Sequence, residues 1–222
     1  MYDFNFAPVF ASFGHLLAGA AVTMELSCGA MVIGLVVSVL CAAGKTSRIK
    51  PLRWLINIYV EAIRNTPFLV QIFFIYFGLP VVGLSFQPDT AALIALVVNV
   101  GAYGTEIIRA GIESIQRGQI EAGIALGLKP YQIFRYIILK PSLRTVYPAL
   151  TSQFIFLMLT SSVVSVISAN DLAAAGNDVQ SQTFASFEVY LVVTAMYLVM
   201  SSALSAIFAL IQRAAFRYPL SR

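Results

Sequence analysis

The chain has 222 residues, 59% of them hydrophobic and 11% charged, with a mean hydropathy of +0.84. Soluble domains average about 45–50% apolar and about 25% charged, so this composition excludes a soluble globular protein and points to an all-α polytopic membrane protein. The net charge of +4 and pI near 9.2 require no nucleic-acid partner, because the basic residues fall between apolar runs in alternation.

Five apolar runs predict five transmembrane helices in a single domain over 1–222, each near the roughly 20 residues needed to cross a bilayer core. The first covers about 16–43, or about 40 Å of helix, so it tilts or reaches the interface. It holds Cys28 and Cys41, which lie about 20 Å apart on one helix and read as packing residues rather than a disulfide. The N-terminal Met1-Tyr-Asp-Phe-Asn-Phe has no positive n-region, so a cleavable signal peptide is not expected.

The second span covers about 54–79, with Pro67 in its middle freeing a carbonyl near residue 63 and predicting a local kink. Glu61 and Arg64 stand i, i+3 and read as a pair on one helix face. A short loop punctuated by Pro80, Gly83 and Pro88 leads to the third span, about 91–108. Polar groups inside membranes face a partner or a cavity, which singles out Glu25, Glu61, Arg64, Asn65, Gln71, Asn99 and Glu106.

A polar segment of about 113–141 follows. In it, Ile120, Ile124 and Leu128 recur as one helical stripe, and Tyr131, Phe134 and Ile138 as a second. Pro130 separates the two pieces and Pro141 is expected to end the second. Gly123 and Gly127 each cost a helix about 1 kcal/mol relative to Ala, which suits close approach by a neighbour and insertion into a groove.

The fourth span covers about 146–169. Gln153, Thr160, Ser161, Ser162 and Ser165 line it with an amide and hydroxyls, which fit either a substrate path or helix packing. Residues 171–186, small and polar, read equally as a stretch facing a water-filled vestibule or a docked partner and as a solvated connector before the fifth span, about 187–211. Lys45, Arg48, Lys50 and Arg53 follow span one, Arg109 to Arg144 follow span three, and Arg213, Arg217 and Arg222 follow span five. Asp89, Asp171 and Asp178 occupy the other loops, so the N-terminus is expected outside and the C-terminus in the cytoplasm.

Several blocks then carry a resemblance. Glu121-Ala-Gly-Ile-Ala-Leu-Gly127 followed by Leu139-Lys-Pro141 resembles the signature loop of permease subunits of bacterial ABC importers (type I permeases), and the surroundings resemble the polar amino-acid uptake subfamily. Matching blocks are Glu61-Ala-Ile-Arg-Asn-Thr-Pro-Phe-Leu-Val-Gln71, Tyr76-Phe-Gly-Leu-Pro80, Ala102-Tyr103, Glu106-Ile-Ile-Arg-Ala-Gly111, Gly118-Gln-Ile-Glu-Ala122 and Val164-Ser-Val-Ile167 with Asp171-Leu172. They span about 21–211 in order.

The resemblance implies an inner-membrane amino-acid permease that pairs with an identical or paralogous permease. The pair would sit on a dimer of ATP-binding subunits and receive substrate from a periplasmic binding protein. It implies that Glu121, Ala122, Gly123, Leu126, Gly127 and Leu128 form the coupling helix docked on the ATPase. Asn65, Thr66, Gln71, Gln153, Thr160, Ser161 and Ser162 are the candidate substrate path. Related chains often carry a lysine, then an aspartate or asparagine, where this one has Leu159 and Thr160. Either the substrate depends less on charge or the partner permease supplies the site.

The residues agree on one point. No Gly-rich loop runs into Lys-Ser or Lys-Thr, no metal or nucleophile constellation is present, and His15 is the sole histidine. No catalytic or metal site is therefore expected; ATP and Mg belong on the partner ATPase and no cofactor on this chain. The alternative is an ion-gradient-driven secondary transporter using Glu25, Glu61 and Glu106, against which the lack of an inverted repeat counts.

Overall fold

The computed structural model describes residues 4–215, so Arg217 and Arg222 of the basic pattern lie outside the described residues. A short helix α1 (Ala7–Ala11) leads into α2 (Phe13–Lys45), then α3 (Lys50–Arg64) and α4 (Phe68–Phe73). The last of these widens to a π-helical turn, Phe74–Gly78, and tightens to a 3₁₀ turn, Leu79–Val82. The helix α5 (Pro88–Glu113) precedes α6 (Arg117–Ala125), α7 (Pro130–Gln132) and α8 (Lys140–Thr160). Then come α9 (Leu172–Thr183) and α10 (Ser186–Ala215). Among the described residues, four helical stretches are long and apolar enough to cross a membrane, and the bent pair α3–α4 supplies a fifth span.

The centre of the molecule is the pairing of α2 with α5. Small residues allow it: the Ser38 hydroxyl donates to Gly34 O at 2.7 Å and lies 3.2 Å and 3.3 Å from the carbonyls of Val100 and Gly101. In a bilayer, where lipid is as apolar as Leu, such close backbone approach and interhelical hydrogen bonding drive association. Tyr59 OH of α3 donates to Val98 O of α5 at 2.7 Å and sets the two helices in register. Around this pair Leu26, Ile72, Leu96, Leu157, Met158 and Ile167 form one buried cluster drawn from α2, α4, α5, α8 and the 3₁₀ turn that follows α8.

Four expectations change here. Span two is not one kinked helix: it breaks at Asn65–Pro67, and its halves are bent by 112°. Proline has no amide proton and pushes Thr66 out of the helical region, so the first helix ends and a second starts. Nor does Pro141 end a helix, since residues 130–167 form one helical stretch. A π-helical segment, Ile133–Leu139, stands immediately before Pro141, and its wider turns absorb the missing donor and the displaced carbonyl.

The segment expected as a polar connector is the helix α9. Asp171 caps it, accepting from Ala174 N at 2.9 Å, and its Leu172, Ala175 and Val179 bury against Leu16, Val189 and Val193. Its small polar residues face outward, which gave the stretch a loop-like composition. Finally, Cys28 is exposed on α2 rather than packed, and both cysteines are free. An exposed position on a membrane helix faces lipid or a neighbouring chain.

Candidate functional site

The polar segment folds as a hairpin of α6 against the start of the 130–167 helix. The α6 helix ends in a Schellman motif: Gly127 N donates to Ile124 O at 2.9 Å and Leu128 N to Gly123 O at 3.0 Å. That turn needs a left-handed residue after the cap, and Gly127 has φ +74°. Gly127 and Leu128 therefore lie outside the helix, and Gly127 serves the turn rather than a close-packed face. Gly123 does make a close approach, but to its own chain: a Cβ there would sit 2.5 Å from Ile137 Cδ1 and 3.4 Å from Ile133 Cγ1.

With Gly123 turned inward, the outer face of the hairpin carries Glu121, Ala122 and Leu126, which is 79% exposed. The Ile120–Ile124–Leu128 stripe is not buried as one face, since Ile124 is 61% exposed while Ile120 and Leu128 are half-buried. Tyr131, Phe134 and Tyr136 continue the exposed apolar surface past the turn. Residues of this kind on a charged, non-lipid loop are the mark of an interaction surface. Sequence reasoning singled out Tyr131 and Phe134 only as a stripe; both are exposed, Phe134 within the π-helical segment Ile133–Leu139.

A second cluster sits at the break of span two. The Gln71 amide nitrogen lies 2.7 Å from Ile63 O and 3.0 Å from both O and Oγ1 of Thr66, and its oxygen accepts from Asn99 Nδ2 at 3.1 Å. One side chain thus satisfies the carbonyls freed by the break and ties them to α5. Gln71 is buried, and its hydrogen bonds brace the break of span two against α5. Asn65 and Thr66 remain exposed.

The expected Glu61–Arg64 pair is absent. Glu61 Oε2 accepts from Asn65 Nδ2 at 2.9 Å, while the Arg64 guanidinium stacks 5.7 Å from the Tyr103 ring centroid. The partner of Arg64 thus comes from α5, whose Tyr103 ring attracts the guanidinium through its quadrupole. Farther along the chain, the hydroxyls of Ser161, Ser162 and Ser165 donate to Met158 O, Leu159 O and Ser162 O at 2.7, 2.9 and 2.8 Å. They serve their own helix; Ser161 is fully buried, and Thr160 and Gln153 are half-buried. Beyond the break, α4 packs on the 3₁₀ turn Ser161–Ile167.

At the opposite end from α9, Glu106 bridges Lys45 and Arg109, with Arg109 Nη2 at 2.8 Å, and Arg109 also pairs with Glu113. Glu106 is thereby satisfied as a counter-ion between helices, which leaves it no free site for a transported ion.

Comparison with known proteins decides what this assembly is. The family model for the binding-protein-dependent transport system inner membrane component matches residues 34–217. The chain belongs to that family. It is 37% identical to the probable glutamine ABC transporter permease protein GlnM of Bacillus subtilis (strain 168) over 90% of each chain. It is 33% identical to the glutamine transport system permease protein GlnP of Escherichia coli (strain K12), covering 95% of this chain and 97% of that one. A solved chain from the crystal structure of an amino acid ABC transporter with histidines superposes with a TM-score of 0.90 at 35% identity, covering 96% of this chain and 100% of the other. The inward-facing MetNI methionine ABC transporter, at 24% identity and a TM-score of 0.66, shares the fold. The protein is accordingly a permease component of an ABC importer, and the gradient-driven alternative is set aside.

Proposed function

We propose that this permease carries a polar amino acid and is driven by a separate ATPase docked on the α6 hairpin. The observation that carries the coupling half is the hairpin itself: an exposed Glu121–Leu126 face locked from behind onto the 130–167 helix through Gly123, Ile133 and Ile137. A push on that face moves the long helix as a body, and the long helix reaches the Ser161–Ile167 turn against the broken span. Nucleotide must bind one arrangement better than the other for this motion to do work.

The substrate class is supported by the relatives named for glutamine and by a path edged with Asn65, Thr66, Gln153, Thr160 and Ser162. In this reading the basic end carrying Lys45, Arg109 and α6 is cytoplasmic, and the end carrying Asp89, Asp171 and Asp178 faces outward, with the N-terminus there. A second permease, identical or paralogous, completes the path, and a periplasmic binding protein delivers substrate to the outer end.

The test is uptake of radiolabelled glutamine into right-side-out membrane vesicles that hold this chain together with an ATP-binding subunit and a glutamine-binding protein. ATP-dependent uptake that survives a protonophore supports the reading. Uptake that persists after ATP depletion and collapses with the proton gradient contradicts it.

A further inference from the structure

A basic cleft between the inner ends of α2, α3 and α5 is left unused by this account. Its volume is about 400 Å³ and its lining is Lys45, Lys50, Arg53, Trp54, Asn57 and Arg109. We propose that it binds the phosphate of an anionic phospholipid headgroup, holding one lipid against α3.

Charge is the first argument. Lys45 and Arg109 are engaged by Glu106, and Arg109 also by Glu113. Lys50 and Arg53 have no carboxylate partner among the described residues, so the cleft keeps an uncompensated positive charge. The α3 helix starts at Lys50 with Ile49 as its cap and no side-chain hydrogen bond to its first turn, so the positive end of its dipole adds to the same field.

Shape and solvent are the second. Along α3, Lys50, Arg53, Asn57 and Glu61 follow one face, while Ile56 and Val60 are buried against the bundle and Leu52, Leu55 and Ile58 are exposed apolar residues. An acyl chain lying along those residues keeps its phosphate at the level of Lys50 and Arg53. Trp54, 66% exposed, stands where amphipathic rings settle at headgroup depth. Basic pockets between transmembrane helices at the cytoplasmic surface recognise phosphate headgroups in this manner.

Trp54 is the only tryptophan of the chain and lines the cleft, so its fluorescence reports occupancy directly. The full chain is reconstituted in vesicles with brominated phosphatidylglycerol or brominated phosphatidylcholine, and quenching is followed against lipid fraction. The expected result is half-quenching at an about thirtyfold lower fraction of the anionic lipid, the preference two basic side chains supply at a membrane surface. The double variant Lys50→Gln/Arg53→Gln should quench equally with both lipids, whereas Lys50→Arg/Arg53→Lys should retain the preference, and circular dichroism of each confirms the fold. Equal quenching of the native chain by both lipids, or a preference that survives the double Gln variant, overturns the proposal. Millimolar inorganic phosphate that abolishes the preference overturns the assignment to lipid and makes the cleft a site for a free anion.

Discussion

Gly127→Ala isolates the energy of the turn that presents the coupling face. The residue has φ +74°, where a Cβ crowds the following carbonyl at about 1–2 kcal/mol. A Cβ built there meets nothing within 4 Å, so strain acts without a clash. Part of it is offset because alanine narrows the unfolded chain, leaving a net loss of about 1 kcal/mol, or about fivefold in the local opening equilibrium. Hydrogen–deuterium exchange on the purified chain reads this at the two amides that close the motif, Gly127 N and Leu128 N. Residue 127 and Leu128 should exchange about fivefold faster, with α5 unchanged. Gly127→Asn, which tolerates the left-handed region, should fall between the two. Unaltered protection, or a loss that spreads into α8, would refute the assignment of Gly127 to a local turn.

Four further substitutions probe other parts of the molecule. Glu106→Gln leaves Lys45 and Arg109 without their shared, half-buried counter-ion, and thermal unfolding in detergent should show a loss of roughly 2–3 kcal/mol. Glu113→Gln, on an exposed pair, should cost under about 1 kcal/mol. Gln71→Leu strands the carbonyls at the break of span two; transport should fall much further than the melting temperature, and equal effects on both would make Gln71 a packing residue only. Burial raises the Asp171 carboxyl from 3.8 to about 6. Its charged form opposes folding above about pH 6 and the opposition vanishes below 3.8, so the native chain should gain stability on acidification through that window. Asp171→Asn should lose that gain, and identical pH profiles would show that the carboxyl is not responsible.

What the sequence made legible follows from the range of the forces involved. Long apolar runs declare membrane helices because each one alone meets the bilayer's length requirement, and α2, α5 and α10 cover the residues expected of them. The joint of the α6 hairpin at Pro130 was also legible, because proline acts on its own neighbours, but Gly127 was read inside the helix whereas it forms the left-handed turn that ends it. The break at Pro67 was visible but its size was not: the 112° bend is braced by Asn99, 28 residues along the chain from Gln71. The α9 helix was missed because its burial is non-local. Gly19 of α2 admits it so closely that a Cβ there would stand 2.8 Å from Ala175 Cβ. Arg64 was assigned to Glu61 for the same reason, Tyr103 being invisible to a helical-spacing rule. In the serine run, spacing could not choose between substrate contact and back-bonding; the 3₁₀ turn at Ser161–Ile167 favours bonds to residues three back.

The central claim is that the outer face of the α6 hairpin docks on an ATP-binding subunit, and affinity purification from solubilised membranes tests it most directly. The native chain should retain the ATPase, while Glu121→Arg and Leu126→Asp, both at exposed positions that leave the fold intact, should lose it. Retention of the ATPase by both variants at native levels would contradict the claim.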